Sequence, residues 1–168
     1  LAETGETVTY REMEERANRG AHVLRALGMG NGRTIALVCE NRLEYFDVVW
    51  AAQRTGIELV IVSSRLKADE IAYIVGDSGA ALLLIGDGLA ETARDLADKA
   101  ADMPGLERTV AIGALPGLQS WNDLCADAPV TPVDDEELGT RMFYSSGTTG
   151  RPKGIRIPSP GGPAVQTN

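Results

Sequence analysis

Residues 34–62, TIALVCENRLEYFDVVWAAQRTGIELVIV, decide the fold, because they read as a strand, a helix and a second strand in succession. The apolar runs 34–39 and 59–62 are short, continuous and flanked by turn-forming residues, as buried strands are. Residues 43–55 carry apolar side chains at helical spacing, and Gly56 follows where a left-handed helix cap is expected. Two strands joined by a helix predict parallel pairing.

The same alternation continues beyond this unit. The next predicted elements are a helix at 68–76, a strand at 81–85, a helix at 89–102 and a strand at 110–112. Alternating strands and helices predict an α/β fold with a mainly parallel sheet and helices on both faces. Residues 113–136 are interspersed with prolines and polar residues, and we interpret them as a connector with a short helix at 121–126.

The first helix has its own start signal. Thr9 is a suitable N-cap, and Glu12 can complete a capping box with it. The stripe expected to face the core consists of Tyr10, Met13, Ala17, Ala21, Leu24 and Leu27. For the helix at 43–55 the expected stripe is Leu43, Phe46, Val49, Trp50 and Gln53. The glycines of 28–32 follow a helix and precede a strand, which is the reverse of a dinucleotide-binding turn.

The composition, with 43% apolar and 24% charged residues, predicts a folded soluble protein. The net charge of −8 argues against a general nucleic-acid binder, because a phosphate backbone requires a basic binding face.

A zinc-type ligand set cannot be formed from Cys39, Cys125 and the single histidine, His22, and a reduced cytoplasmic setting is expected. We expect neither a signal peptide nor a transmembrane helix, because the start lacks the basic and apolar pattern and no apolar run is long enough.

The two ends of the sequence lead us to expect a fragment. The first residue is not methionine, and residues 166–168 complete no predicted element. We divide the chain into an α/β N-terminal subdomain at 1–140 and a second part at 141–168. The second part holds a strand, a candidate phosphate-binding loop and a truncated continuation.

The segment 144–154, YSSGTTGRPKG, directly follows an apolar strand end at 142–144. Two glycines three residues apart let backbone N–H groups point inward and bind anionic oxygens, and four hydroxyl side chains add donors. Pro152 fixes the backbone before Lys153, which supplies a positive charge. A flexible linker is the alternative, but a linker has no need to orient a cation. The segment is not a Walker loop, because Lys153 follows a proline and precedes a glycine.

Segment 144–154 resembles the signature loop of the adenylate-forming (AMP-binding) family, which includes acyl-CoA synthetases, luciferases and the adenylation domains of peptide synthetases. Residues 8–10 with the first helix, and the turn at 40–45, resemble the same family. Residues 63–74 with 77–80 most resemble acyl-CoA synthetases of the fatty-acid–CoA ligase kind.

The resemblance implies an AMP-forming acyl-CoA ligase. It would convert a carboxylic acid with ATP and Mg²⁺ to an acyl adenylate and then to a coenzyme A thioester. The implied phosphate contacts are Ser145, Ser146, Gly147, Thr148, Thr149, Gly150 and Lys153. Lys153 and Thr148 are the catalytic candidates, and a hydroxyl facing Mg²⁺ is expected from Ser145 or Thr148. Arg151 is expected only to face solvent.

Other contacts of such an enzyme are expected outside this sequence. The adenine, ribose and acyl contacts fall later in the family's pattern, so the fragment by itself is expected to be inactive. Two alternatives stay open at this point: an adenylation domain of a peptide synthetase, and a non-catalytic nucleotide- or phosphate-binding module.

Overall fold

The computed structural model describes Gly5, residues 7–145 and residues 151–157. Its elements are α1 (Tyr10–Ala26), β1 (Thr34–Val38), α2 (Glu44–Gln53), β2 (Glu58–Val62), α3 (Ala68–Ser78), β3 (Leu82–Gly86), α4 (Ala90–Ala97), β4 (Arg108–Ile112), β5 (Gln119–Ser120), α5 (Trp121–Ala126), β6 (Thr140–Ser145) and β7 (Lys153–Arg156). Short 3₁₀ turns at Asp87–Leu89 and Ala100–Asp102 flank α4.

The strands form a seven-stranded sheet in the order β5-β4-β3-β1-β2-β6-β7. β1 lies between β2 and β3, with Thr34 beside Glu58 and Ile35 beside Leu82. Every pairing between neighbours from β5 to β6 is parallel, and β7 alone runs antiparallel, along β6. The prediction of an α/β fold with a mainly parallel sheet is therefore confirmed.

Alternate side chains of the central strand enter two separate cores. Ile35 and Leu37 belong to the core formed with α1, α2 and α5. Ala36 and Val38 belong to the core formed with α3 and α4. This alternation follows from the two-residue period of a strand, and it confirms that helices cover both faces.

The start of α1 confirms the predicted capping box. The N–H of Glu12 donates to Oγ1 of Thr9 at 3.2 Å, and the N–H of Thr9 donates to Oε2 of Glu12 at 2.7 Å. The stripe predicted for this helix is wrong at its first residue, because Tyr10 is 88% exposed. Tyr10 lies in the first turn of the helix, ahead of its first buried residue, Ala17.

The contact between α1 and α2 corrects the stripe predicted for α2. Phe46 and Trp50, both expected in the core, are 46% and 39% exposed. The buried residues of α2 are instead Asp47, Val48, Val49, Ala51 and Ala52. Gly20 of α1 lies so close to α2 that an added Cβ would sit 2.9 Å from Cβ of Ala51. Small residues therefore fill the helix contact, and the aromatic side of α2 faces outward.

The helix predicted at 89–102 is wrong in its extent. α4 ends at Ala97, and a 3₁₀ turn follows at Ala100–Asp102. The N–H of Asp102 donates to the carbonyl of Lys99, which is the shorter i to i+3 spacing. Met103 comes directly after this turn and is buried in the core beside α3. The tighter turn thus directly precedes a side chain that is buried in the core.

The connector predicted at 113–136 packs closely against α1. Its short helix α5 is confirmed, and Ser120 caps it by accepting the N–H of Asp123. Trp121 at its start is only 1% exposed. Arg19 of α1 donates to the carbonyls of Cys125, Ala126 and Ala128. A cation at the last carbonyls of a helix stabilises that helix end, so Arg19 stabilises the end of α5 and holds the connector against α1.

The division proposed at residue 140 stays a prediction. Thr140 is the first residue of β6, and it pairs with Glu58 of β2. The strands on either side of the proposed boundary therefore share one sheet.

Candidate phosphate-binding site

The segment predicted to bind phosphate begins and ends in a β-hairpin made by β6 and β7. Antiparallel pairing places Ser145, the last residue of β6, directly opposite Lys153, the first residue of β7. The structure thus brings together the two predicted site residues that it describes. The predictions for Ser146, Gly147, Thr148, Thr149 and Gly150 concern residues that lie outside the described part of the chain.

Three cations near this hairpin differ in what they contact. Arg156 lies on β7 and pairs with Glu58, with 3.1 Å between Nε and Oε1. Arg151 is exposed as predicted, but its guanidinium also lies 5.3 Å from the centre of the Tyr73 ring. Lys153 is exposed and has no ion pair within residues 7–145 and 151–157. Of these three, Lys153 is therefore the cation most available to an anionic ligand.

Packing inside the hairpin leaves no room for a side chain at Gly154. It lies opposite Tyr144 on β6, and an added Cβ would come 2.1 Å from Cε of Met142 and 3.2 Å from the Tyr144 ring. Any larger residue would displace the Met142 side chain and press against the Tyr144 ring. The sequence pattern assigned this glycine to the loop, whereas the structure shows it inside a strand.

Helix α3 contacts both strands of the hairpin close to the loop. The hydroxyl of Tyr144 donates to Oδ2 of Asp77 at 2.7 Å, and the hydroxyl of Tyr73 donates to the carbonyl of Pro152 at 3.4 Å. Burial, followed by the hydrogen bond to Asp77, raises the pKa of Tyr144 above its ordinary value. Tyr73 and Asp77 lie in the segments 63–74 and 77–80 that resemble acyl-CoA synthetases, but the sequence pattern predicts no chemical role for either side chain.

The crevice between β1 and β3 is the other place where a ligand would be expected. The strand order reverses there, and open α/β sheets commonly bind ligands at such a reversal. In this protein the chain's own side chains fill it. Glu40 accepts the N–H of Gly88 at 2.9 Å, and Arg42 donates to Asp87 at 2.8 Å and pairs with Glu44. The hydrogen bond from Arg42 also lowers the pKa of Asp87.

The described residues offer little to a resident metal ion. They contain no group of three or more His, Cys, Asp or Glu side chains that could hold one. His22 instead hydrogen bonds to the carbonyl of Thr131 at 2.9 Å. The exposed hydroxyl of Ser145 suits a Mg²⁺ ion that arrives on phosphates, because Mg²⁺ usually keeps phosphate and water oxygens as ligands. Within the same residues, no helix is long and apolar enough to cross a membrane.

The two free cysteines should react slowly with thiol reagents in the native protein. Burial raises the pKa of Cys39 and of Cys125 to about 12. The smaller thiolate fraction, partly offset by the greater nucleophilicity of a more basic thiolate, should slow labelling about 30- to 60-fold relative to an exposed thiol. The measurement is labelling with Ellman's reagent at pH 8, with the urea-unfolded chain as the control. Equal rates in the native and the unfolded chain would contradict the expectation.

The family is shown by comparison with known proteins. The chain matches the AMP-binding family, described as AMP-binding enzyme, over residues 1–159. The chain therefore belongs to that family.

Two relatives illustrate the range of proteins that the chain resembles. It is 34% identical over 148 residues to the long-chain-fatty-acid–CoA ligase FadD13 of Mycobacterium tuberculosis (strain H37Rv), covering 88% of this chain and 29% of the relative. It is also 34% identical over 154 residues to surfactin synthase subunit 3 of Bacillus subtilis (strain 168), covering 92% of this chain and 11% of that protein. The chain thus spans less than a third of the length of either relative.

A solved structure agrees with the observed architecture. The inhibitor-bound N-terminal domain of FACL13 from Mycobacterium tuberculosis superposes with a TM-score of 0.80 at 28% identity. The match covers 93% of this chain and 38% of that one. The fold accordingly matches part of the N-terminal domain of an adenylate-forming enzyme, in agreement with the prediction of an N-terminal subdomain.

Proposed function

We propose that this chain supplies the phosphate-binding part of an AMP-forming acyl-CoA ligase, with ATP, a carboxylic acid and coenzyme A as substrates. The residues that we assign to the β- and γ-phosphates are Ser145, Ser146, Gly147, Thr148, Thr149, Gly150 and Lys153. Lys153 and Thr148 are assigned to the transition state, and the hydroxyl of Ser145 is assigned to Mg²⁺. Family membership and the described hairpin support the proposal.

The placement of Lys153 opposite Ser145 carries the proposal. Ser145 ends β6 and Lys153 begins β7 beside it, on the side of the sheet where the parallel strands end. A hydroxyl donor beside a cation without an ion pair is suited to phosphate oxygens, because a charged donor makes a stronger hydrogen bond than a neutral one. The overall charge of −8 makes a locally cationic position all the more necessary for a polyanionic ligand.

The chemistry proceeds in two displacements. First, a carboxylate oxygen of the acid attacks the α-phosphorus of ATP, and the bond from that phosphorus to the bridging oxygen of pyrophosphate breaks. Charge accumulates on the departing pyrophosphate, so a fixed ammonium at Lys153 lowers the barrier. Mg²⁺, for which we propose the hydroxyl of Ser145 as a ligand, would supply further charge neutralisation. Next, the thiolate sulfur of coenzyme A attacks the acyl carbon, and AMP leaves with the bonding electron pair.

A fatty acid is the substrate class that we favour, and a cytoplasmic location is part of the proposal. FadD13, by its name, acts on long-chain fatty acids, and residues 63–74 of this chain most resemble acyl-CoA synthetases. Lipid metabolism is then the context of the reaction. The free state of Cys39 and Cys125 accords with a reducing compartment.

A second candidate is an adenylation domain of a peptide synthetase, because the match to surfactin synthase subunit 3 is as high in identity as the match to FadD13. The two functions differ in the thiol that receives the acyl group. Transfer to free coenzyme A supports the ligase, whereas transfer only to a carrier-protein phosphopantetheine supports the peptide synthetase.

The 168-residue chain should bind inorganic triphosphate about as well as it binds ATP, and adenosine not detectably. Lys153 and Ser145 recognise phosphate oxygens, and no described residue can be assigned to the adenine ring. We expect dissociation constants of about 1 mM, or about 4 kcal/mol, after the loss of ligand freedom is included.

Chemical-shift titration of the backbone amides with each of the three ligands measures these affinities. Submicromolar ATP binding with clear selectivity over triphosphate would contradict the proposal. A non-catalytic nucleotide-binding module would then be the better interpretation.

A further inference from the structure

The end of β6 extends beyond its pairing with the rest of the sheet. β6 pairs with β2 through Thr140, Arg141 and Met142, and the ladder stops there. Phe143, Tyr144 and Ser145 continue past it and pair only with β7. The part of the hairpin that carries Ser145 and Lys153 is therefore not held by β2, and something else must fix its position over the sheet.

Helix α3 provides that support from one side of the sheet. Tyr73 and Asp77 are four residues apart, so they lie on the same face of the helix, one turn apart. Asp77 accepts the hydroxyl of Tyr144, the residue before Ser145. Tyr73 donates to the carbonyl of Pro152, the residue before Lys153. The helix thus holds each strand one residue before its predicted phosphate contact.

The helix that carries Tyr73 and Asp77 is itself anchored in the core, although the side chain of Asp77 is exposed. Elsewhere on α3, the side chains of Ile71, Ile74 and Val75 anchor the helix in the core, where each is at most 2% exposed. The ring of Tyr144 can reach across β7 to Asp77 because Gly154 leaves room for it. A hydroxyl that donates to a carboxylate makes a strong, directional hydrogen bond, so it restricts the strand more than apolar contact alone would.

We propose that Asp77 and Tyr73 are positioning residues that set the separation and orientation of Ser145 and Lys153 toward the phosphates. The inference rests on the function proposed above. Neither residue needs to touch the ligand. The carboxylate of Asp77 would repel a polyanion, and its contribution to binding comes only through Tyr144.

Because Asp77 would repel the ligand, a positioning role and simple electrostatics predict opposite effects of its removal on triphosphate binding. Removing one negative charge should by itself strengthen the binding of a polyanion. If Asp77 positions the hairpin, Asp77→Ala should instead weaken triphosphate binding about five- to tenfold, because a charge-assisted hydrogen bond is lost. Tyr73→Phe, which keeps the ring under Arg151, should weaken binding about twofold to threefold, since the lost hydrogen bond is longer and neutral.

The rescue variant and the control lie on the same helix. Asp77→Asn keeps an oxygen that can accept the Tyr144 hydroxyl, and it should restore affinity to within about twofold of the wild type. Asp69→Ala makes the same deletion of charge at a residue that pairs with Lys99 instead. It should bind triphosphate as well as the wild type or slightly more tightly. Titration of the 168-residue chains with inorganic triphosphate, with urea unfolding of each variant, provides the measurements.

The outcomes separate this inference from the proposed function. If the wild-type chain does not bind triphosphate, the proposed function fails and the inference fails with it. If the wild type binds and Asp77→Ala binds as well or more tightly, the inference alone is overturned. If Asp77→Ala and Asp77→Asn are equally weak, it is also overturned, because the carboxylate and not the hydrogen bond would then matter. Weak binding by Asp77→Ala with recovery in Asp77→Asn supports it when the urea curves show that both variants are folded under the titration conditions, and weak binding that only follows from unfolding of Asp77→Ala overturns it.

Discussion

Lys153→Ala should slow formation of the acyl adenylate about 30- to 1000-fold, a barrier increase of about 2 to 4 kcal/mol. The reason is that the ammonium of Lys153, which has no ion pair within the described residues, would meet charge that develops on the departing pyrophosphate. The thioester-forming step should keep its rate, because pyrophosphate has left before coenzyme A attacks. The two half-reactions therefore separate the role of Lys153 from a general loss of folding.

The measurement requires a ligase of the full length of the relatives that contains this chain. Single-turnover rates of adenylation are compared with the rates of thioester formation from a supplied acyl adenylate. Lys99→Ala is the matched control, because Lys99 is already paired with Asp69 and should change neither rate. Equal losses in both half-reactions for Lys153→Ala would count against the assigned role.

Arg54→Ala should lower the free energy of unfolding by about 2 to 4 kcal/mol, because it removes the centre of a buried polar contact between α1 and α2. The side chain of Arg54 is 8% exposed and donates to both oxygens of Glu14, at 2.8 and 2.9 Å, and to Oδ1 of Asn18. Asn18 is only 2% exposed, so its oxygen would be left without that donor. We place the value below the largest losses known for buried pairs, because the Glu14 side chain is 53% exposed and partly solvated.

Arg33→Ala serves as the control for this prediction. Arg33 pairs with Glu107 at 2.6 Å, but both side chains are substantially exposed, at 38% and 53%. An exposed pair of this kind contributes about 1 kcal/mol or less, since water screens it. Urea unfolding of both variants gives the comparison. A loss at Arg54 no larger than the loss at Arg33 would show that the buried contact does not stabilise the helix pair.

The parallel sheet could be predicted because its strands are buried on both sides. Continuous apolar runs such as 34–39 and 59–62 are distinctive, and they alternate with helices. β7 could not be predicted in the same way. The sequence KGIR of Lys153–Arg156 has no apolar alternation of a buried strand, and all its residues are exposed. It is a strand because it pairs with β6, a relation that local sequence does not carry.

Helical periodicity identified α2 but not the side that it buries. Apolar residues occur almost all round this helix, so a stripe through Phe46 and Trp50 was as consistent with the pattern as the observed one. The choice is made by the close approach at Gly20 and Ala51, which needs small residues. That requirement comes from the neighbouring helix and is invisible in residues 43–55 alone.

The candidate site could be predicted from a local motif. The residues of α3 that contact it could not. Ser145 and Lys153 stand in one short segment with glycines and hydroxyl residues, so their chemistry could be inferred from spacing. Tyr73 and Asp77 come from a helix far earlier in the chain, and only the fold brings them to the hairpin. The assignments for residues 146–150 stay predictions.

The pairing of β2 with β6 has a consequence for the order in which the protein assembles. The three pairs that join β2 to β6, of which Glu58 and Thr140 are the first, are more widely separated in sequence than the pairs of any other ladder in the sheet. Closing so long a segment of chain costs more entropy than joining β1 to β2 or β3 to β4. During synthesis, β6 also emerges after all the strands from β1 to β5. We therefore expect the hairpin of β6 and β7 to join the sheet after strands β1 to β5 have paired.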